Sequence, residues 1–160
     1  MPSAVGLLSR RPGLKKALKI GLLVAIVVGV AIQFVPVQGV GVNPPERYKL
    51  DAPPEVEAIL RRSCFDCHSN ETKWPFYARL APSSWLLIRD VKKGRSRMNF
   101  SEWGDSEEKD KQIDKENAWD QIESGDMPKW FYVPMHWSAH LTTADKSTLK
   151  TWLLANKKPK

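Results

Sequence analysis

The sequence has no stretch in which apolar and polar residues alternate, and it has only two cysteines, Cys64 and Cys67. Alternation with a period of two is the pattern of a half-buried β-strand, so its absence argues against a sheet. The apolar residues recur at helical spacing instead, and the sequence predicts an all-α fold. Any chemistry that depends on thiols must be located at this one pair of cysteines.

The central part of the chain also lacks an excess of positive charge, although the formal net charge of the whole chain is +7. Eight cations lie at the two ends of the chain: Arg10, Arg11, Lys15, Lys16, Lys19, Lys157, Lys158 and Lys160. Without these eight, the chain has 17 cations and 18 acids, a net charge of −1. This balance argues against the basic footprint of a nucleic-acid-binding domain.

One long apolar run is present, IGLLVAIVVGVAIQFVPV, which extends from Ile20 to Val37 without a charge. As a helix with a rise of about 1.5 Å per residue it measures roughly 27 Å, close to the ~30 Å hydrocarbon core of a bilayer. Cations and no acids precede it, so the positive-inside rule predicts a cytoplasmic segment at 1–19 and a transmembrane anchor at 20–37. A cleaved signal peptide is the alternative, but the run is longer than a signal core and no clear small-x-small cleavage site follows.

The rest of the chain is predicted to lie outside the cytoplasm, as a linker at 38–50 and one domain at 51–160. The stretch QGVGVNPPERYKLDAPP combines glycine and proline with little apolar periodicity. Such a composition is typical of a linker, which we expect to lift the domain off the membrane.

Four helices are predicted in the domain from apolar spacing and from helix start and stop signals. The first begins near Asp51 and runs directly into CFDCH, with Val56, Ile59 and Leu60 facing inward. The second is predicted at 83–93, with Gly94 as its stop. The other two are predicted at about 106–124, with Asp105 as a possible cap and Ile113, Trp119 and Ile122 inward, and at 143–155, with Thr143 as the N-cap.

The motif Cys64-Phe65-Asp66-Cys67-His68 has the spacing of a c-type haem attachment site. Two cysteines three positions apart can form thioethers with the two vinyl groups at one edge of a porphyrin. The next residue is then placed under the iron as its proximal ligand. The pattern therefore predicts covalent attachment through Cys64 and Cys67 and an axial bond from His68.

Three other kinds of site could use the two cysteines. A zinc site could combine them with His136 and His140, but the gap of about 70 residues is far longer than in a zinc finger, and His68 would have no role. A thioredoxin-like dithiol expects strand-helix-strand surroundings, which the sequence does not show. A structural disulfide that closes so short a loop constrains little of the unfolded chain.

The second axial position of the iron has several candidates. Met127 is favoured because it follows a helix stop in ESGDMP, and because Pro128 prevents the helix from continuing. Its thioether sulfur is a soft ligand that favours ferrous iron and raises the reduction potential. The other candidates are Met98, Met135, His136 and His140.

These residues stand in sequence blocks that resemble a known family. The blocks NPP, CFDCHSNETKWPFYARLAPSSWL, MNFSEWG and GDMPKWFY closely resemble the bacterial haem-binding domain family, over about residues 43 to 156. The resemblance implies a membrane-tethered protein with a domain like class I cytochrome c and one covalently attached haem c. It also implies that Cys64 and Cys67 carry the haem, that His68 is proximal and that Met127 is distal.

The function expected from the sequence is that of an electron carrier and not of an enzyme. It would pass single electrons between redox protein partners at the bacterial inner membrane, with its domain on the periplasmic side. One alternative is a haem-based sensor or a structural haem subunit of a larger membrane complex. Another is a peroxidase-like enzyme with His136 or His140 as distal acid-base group, since an imidazole pKa suits that role.

Overall fold

The computed structural model describes residues 12–48 and 50–155, and within these ranges the fold is all-helical, without a β-strand. This confirms the fold class predicted from the sequence. The cations Arg10 and Arg11 and the three C-terminal lysines lie outside the described residues. The helices are α1 (Pro12–Ala31), α2 (Pro54–Ser63), α3 (Phe65–His68), α4 (Ser83–Arg97), α5 (Glu108–Glu123) and α6 (Thr143–Leu153).

The N-terminal apolar helix starts and ends earlier than the predicted segment 20–37. After Ala31 it continues as one 3₁₀ turn to Phe34, and Val35 is extended because the following proline disfavours helical geometry. The stretch Gly13–Phe34 has 22 residues and a mean hydropathy of 2.3 in its most apolar part. It is thus long and apolar enough to cross a membrane.

The core of the domain is formed where α6 packs against both α2 and α5. Helix α2 starts at Pro54, which suits the first helical position because a proline has no N–H to satisfy there. Its apolar face is buried as predicted. The buried core residues include Val56, Ile59, Leu60, Phe65, Phe100, Trp103, Trp119, Ile122, Leu149 and Leu153.

Gly94 does not end the second predicted helix, because α4 continues to Arg97. Instead, this buried glycine marks the place where α4 touches the motif. A Cβ atom at Gly94 would lie 2.3 Å from the carbonyl oxygen of Cys67, far inside contact distance. The glycine is therefore explained by close packing of two backbones and not by helix termination.

Two further helix details differ from the predictions. Helix α5 begins after Glu107 without a side-chain cap, and Ile113 is 47% exposed, whereas Trp119 and Ile122 are buried as predicted. At α6, the N-cap is Thr142, one residue before the predicted Thr143. Its side chain accepts from the backbone N–H of Asp145 and the Asp145 side chain accepts in return, which forms a capping box.

The segment predicted as a linker packs against the domain in its second half. The side-chain amide of Asn43 donates to the backbone oxygen of Thr72, and the backbone N–H groups of Arg47 and Tyr48 lie near the oxygen of Ser101. This segment is therefore not a free spacer. The composition correctly indicated that the segment has no regular secondary structure. It could not show which residues of the domain the segment contacts.

Candidate functional site

The motif Cys64–His68 directly follows α2 and packs against α4. Cys64 has non-helical backbone angles, and the single turn of α3 follows. The backbone N–H groups of Cys67 and His68 both donate to the oxygen of Cys64, at 3.1 and 2.9 Å. Residues three apart on such a turn are neighbours on one face. Cys67 is close enough to Cys64 to contribute to the raised pKa of that thiol, so the turn places the two cysteines near each other, with His68 next in the chain.

Both cysteines are half-buried and carry free thiols. Burial raises the pKa of Cys64 and of Cys67 to about 12, so both groups are protonated near neutral pH. Reactive dithiols of the thioredoxin type need a lowered pKa. The surroundings of this pair therefore do not suit a redox-active dithiol, whereas two adjacent free thiols are what haem attachment requires.

The ring of His68 is oriented by a backbone carbonyl. Its Nδ1 lies 3.0 Å from the oxygen of Met98, to which a protonated Nδ1 donates. Burial lowers the pKa of His68, which favours the neutral imidazole. With its proton on Nδ1, the ring keeps a lone pair on Nε2, the form of histidine that binds a metal.

The segment beyond His68 is held firmly at its backbone. The oxygen of His68 accepts from the N–H of Phe100 at 2.8 Å, and the guanidinium of Arg95 donates to the oxygen of Ser69 at 2.8 Å. The ring of Phe100 also stacks on Phe65, inside the motif, with centroids 5.1 Å apart. The motif and the residues after α4 are thus joined by hydrogen bonds and by ring stacking.

A group of polar and aromatic side chains connects the motif to the segment before α6. The hydroxyl of Tyr132 donates to Asp66 at 2.6 Å, and the ring of Tyr132 stacks on His136 with centroids 3.9 Å apart. The two ring nitrogens of His136 lie 3.1 Å from the oxygen of Tyr132 and 3.2 Å from the hydroxyl of Tyr77. We call these four residues, Asp66, Tyr77, Tyr132 and His136, the aromatic bridge.

Apart from Met98, which follows α4, the candidates for the second axial ligand lie in the segment between α5 and α6 that the aromatic bridge holds. Met127 follows Gly125, which has a positive φ of 80°, and its backbone N–H donates to Gln121 at the end of α5. The Met127 side chain is half-buried, whereas Met135 is 60% exposed and His140 is exposed. Met98 contributes to the site through its carbonyl oxygen.

The structure does not assemble the predicted zinc alternative. In the part of the chain described, no three residues among histidine, cysteine, aspartate and glutamate come together as a metal-binding group. His136 is engaged in the aromatic bridge, and His140 stacks on Trp137. The residues present fit a haem, with two free thiols on one turn and one imidazole whose Nε2 is available.

Some residues of this site could not be found from the sequence. The role of Met98 is that of a backbone oxygen, which every residue has, so no sequence signal marks it. Asp66 and Tyr132 lie 66 residues apart, and only the fold brings them together. Among the residues of this site, the spacing of the two cysteines and His68 was the local sequence pattern that predicted a haem site.

Comparison with known proteins identifies a family for this chain. No curated protein matches the chain. No solved structure matches it either. A family model described as the haem-binding domain matches residues 27–155, which is most of the chain. Together with the fit of the motif to a haem, this match shows that the chain belongs to the haem-binding domain family.

Proposed function

We propose that this protein is a membrane-anchored, mono-haem c-type cytochrome that carries single electrons and catalyses no reaction of its own. The observation that carries the proposal is the orientation of His68. Its Nδ1 faces the oxygen of Met98, and this leaves Nε2 for an iron next to two free thiols. A haem bound there would take up and release one electron.

Covalent attachment is supported by the arrangement of the two thiols. Cys64 and Cys67 occupy one turn, and each would form one thioether with a haem vinyl group. Burial raises the pKa of both thiols to about 12. Because the thiolate is the reactive form, the two cysteines are poorly suited to act as a reactive dithiol. The proposed cofactor is therefore one haem c.

Met127 is the proposed second axial ligand. It is half-buried and lies at the start of a segment that Tyr132 fixes to Asp66 of the motif. Two ligands from the protein would keep small molecules off the iron and limit the movement of atoms when an electron is exchanged. Both ring nitrogens of His136 already face protein oxygens, which favours a carrier over a peroxidase-like site.

The proposed location is the bacterial inner membrane, with α1 as anchor and the domain on the periplasmic side. The support is the length and hydropathy of Gly13–Phe34 and the cations at its N-terminal end. An anchored domain meets partners at the membrane, so we propose a membrane-associated redox protein as the partner.

The visible absorption spectrum of the full chain, produced with haem-maturation machinery, tests this proposal. We expect sharp c-type bands in the reduced protein that carbon monoxide leaves unchanged. Met127→Ala should open the iron to carbon monoxide and shift the bands. The matched control Met135→Ala removes an exposed methionine and should leave them unchanged. A carbon monoxide shift in the unsubstituted protein would contradict the carrier proposal and favour catalysis or sensing.

A further inference from the structure

Four large apolar side chains are exposed in one region of the domain. Phe76 is 80% exposed, Leu80 is 49%, Trp85 is 38% and Leu86 is 37%. Phe76 lies in the 3₁₀ turn Phe76–Arg79, and Leu80 directly follows that turn. Trp85 and Leu86 lie in the first turn of α4. We call these four residues the apolar patch.

The two turns that carry the apolar patch are joined by hydrogen bonds. The Ser83 hydroxyl donates to the oxygen of Tyr77 at 2.8 Å, and the backbone N–H of Ser84 donates to the oxygen of Leu80 at 2.8 Å. The patch therefore sits on a folded element and not on independent loops. Exposed aromatic groups on a well-ordered surface commonly mark a contact with a partner or a membrane.

The same region is fastened to the end of the apolar helix. The side chain of Gln33 donates to the backbone oxygen of Ala81 and accepts from its N–H, both at 3.0 Å. Farther along, Gly39 comes so close to α4 that an added Cβ would lie 3.2 Å from the Ile88 side chain. The apolar patch is thus adjacent to the point where α1 would leave the bilayer.

Lys19 limits the uncharged part of the apolar helix, although the whole stretch Gly13–Phe34 is long and apolar enough to cross a membrane. From Ile20 to Phe34 the uncharged part measures about 23 Å at about 1.5 Å per residue, against a hydrocarbon core of roughly 30 Å. A short span is accommodated by local thinning of the bilayer or by drawing flanking groups inward. Phe34, Val35 and the neighbouring domain surface are the groups that would be drawn toward the lipid.

We propose that the apolar patch lies in the headgroup region of the same bilayer that α1 crosses, so that the domain rests on the membrane. Tryptophan and phenylalanine side chains occur at this depth in helices that lie in the interface, where the surroundings are partly apolar. Arg79, exposed between Phe76 and Leu80 in the chain, can reach lipid phosphates from there. The inference rests on the proposed membrane anchoring and adds the orientation of the domain.

A spin label at position 76 tests the inference in the haem-loaded full chain in lipid nanodiscs. Phe76→Cys provides the labelling site, and Ile113→Cys is the matched control, an exposed apolar residue on α5. Oxygen, which concentrates in lipid, and a water-soluble nickel complex are the two relaxation agents. The unsubstituted chain, labelled in parallel, gives the background from the motif thiols.

We expect a several-fold higher ratio of oxygen to nickel accessibility at 76 than at 113. Equal nickel accessibility at the two positions would overturn the inference while leaving the anchoring intact. A label at 76 that is shielded from both agents would also overturn it and assign the patch to a protein contact. A chain that does not enter nanodiscs at all would overturn the anchoring itself.

Discussion

At the scale of single residues, backbone atoms shape the motif as much as side chains do. The carbonyl oxygen of Met98 orients His68, and the carbonyl of Cys67 lies against Gly94 of α4. Any side chain at position 94 would have to push the motif away from the helix. The geometry of the two thiols therefore depends on a residue that contributes no chemistry.

Gly94→Ala tests this dependence. Because the new Cβ would lie 2.3 Å from the Cys67 oxygen, we expect a loss of about 1 to 3 kcal/mol in the free energy of unfolding and less attached haem. Denaturant titration and the haem-to-protein ratio measure the two effects. Gly29→Ala is the control, since nothing lies within 4 Å of its added Cβ. Equal behaviour of the two variants would contradict the close contact.

The motif and its neighbours Gly94 and Met98 show which parts of a site can be predicted from a sequence. Cys64, Cys67 and His68 are predicted as site residues because haem attachment depends on side chains at fixed spacing. Gly94 was wrongly read as a helix stop, since a glycine required by close packing has the same local signal as one that ends a helix. The Met98 oxygen gave no signal at all.

At the scale of elements, the segment between α5 and α6 is fixed to the motif by the aromatic bridge. Tyr132 is the central member, because it donates to Asp66 and stacks on His136. Burial, together with the Asp66 carboxylate, raises the pKa of Tyr132, so its hydroxyl stays protonated and can donate. Met127 lies in the same segment, so its position depends on this bond.

Tyr132→Phe removes the hydroxyl and keeps the stacked ring. Loss of a hydrogen bond to a charged group predicts a free energy of unfolding lower by roughly 2 kcal/mol. Trp130→Phe is the control, because Trp130 is an aromatic residue of the same segment that is 81% exposed.

A double-mutant cycle with Asp66→Ala isolates the coupling between the two side chains. We expect a coupling energy of about 1 kcal/mol or more, and easier binding of carbon monoxide by Tyr132→Phe. Additive effects would show that the two residues act independently and would contradict the bridge.

Helix positions were predicted better than helix ends. The apolar spacing located four of the five α-helices that the structure describes after α1, because that spacing is a direct result of packing on a core. The ends depend on partners that lie elsewhere in the chain. Asp105 was therefore a wrong choice of cap, and the N-cap of α6 was misplaced by one residue.

At the scale of the whole molecule, the spacing of apolar residues indicated the all-helical fold, but not how the parts are arranged. The segment at 38–50 was expected to lift the domain away, yet Asn43 and Arg47 pack against it. Hydrogen bonds between Gln33 and Ala81 then bring the domain to the end of α1. Contacts of this kind need the folded surface and cannot be read from glycine and proline content.

Membrane anchoring by α1 predicts that alkaline carbonate leaves the full chain in the membrane fraction. Replacing both Val24 and Val28 with arginine should prevent stable insertion, since each arginine costs about 3 kcal/mol at the centre of a span. Ile113→Arg places a charge on an exposed position of the domain and is the control. Release of the unsubstituted chain by carbonate would contradict the anchor.

The most direct test of the account is the intact mass of the full chain under denaturing conditions, after production with haem-maturation machinery. We predict a mass increase of one haem that survives denaturation, because two thioethers hold the group to Cys64 and Cys67. The double variant Cys64→Ala, Cys67→Ala should lose this increase. A haem that dissociates from the denatured unsubstituted chain, or no haem at all, would contradict covalent attachment at the motif.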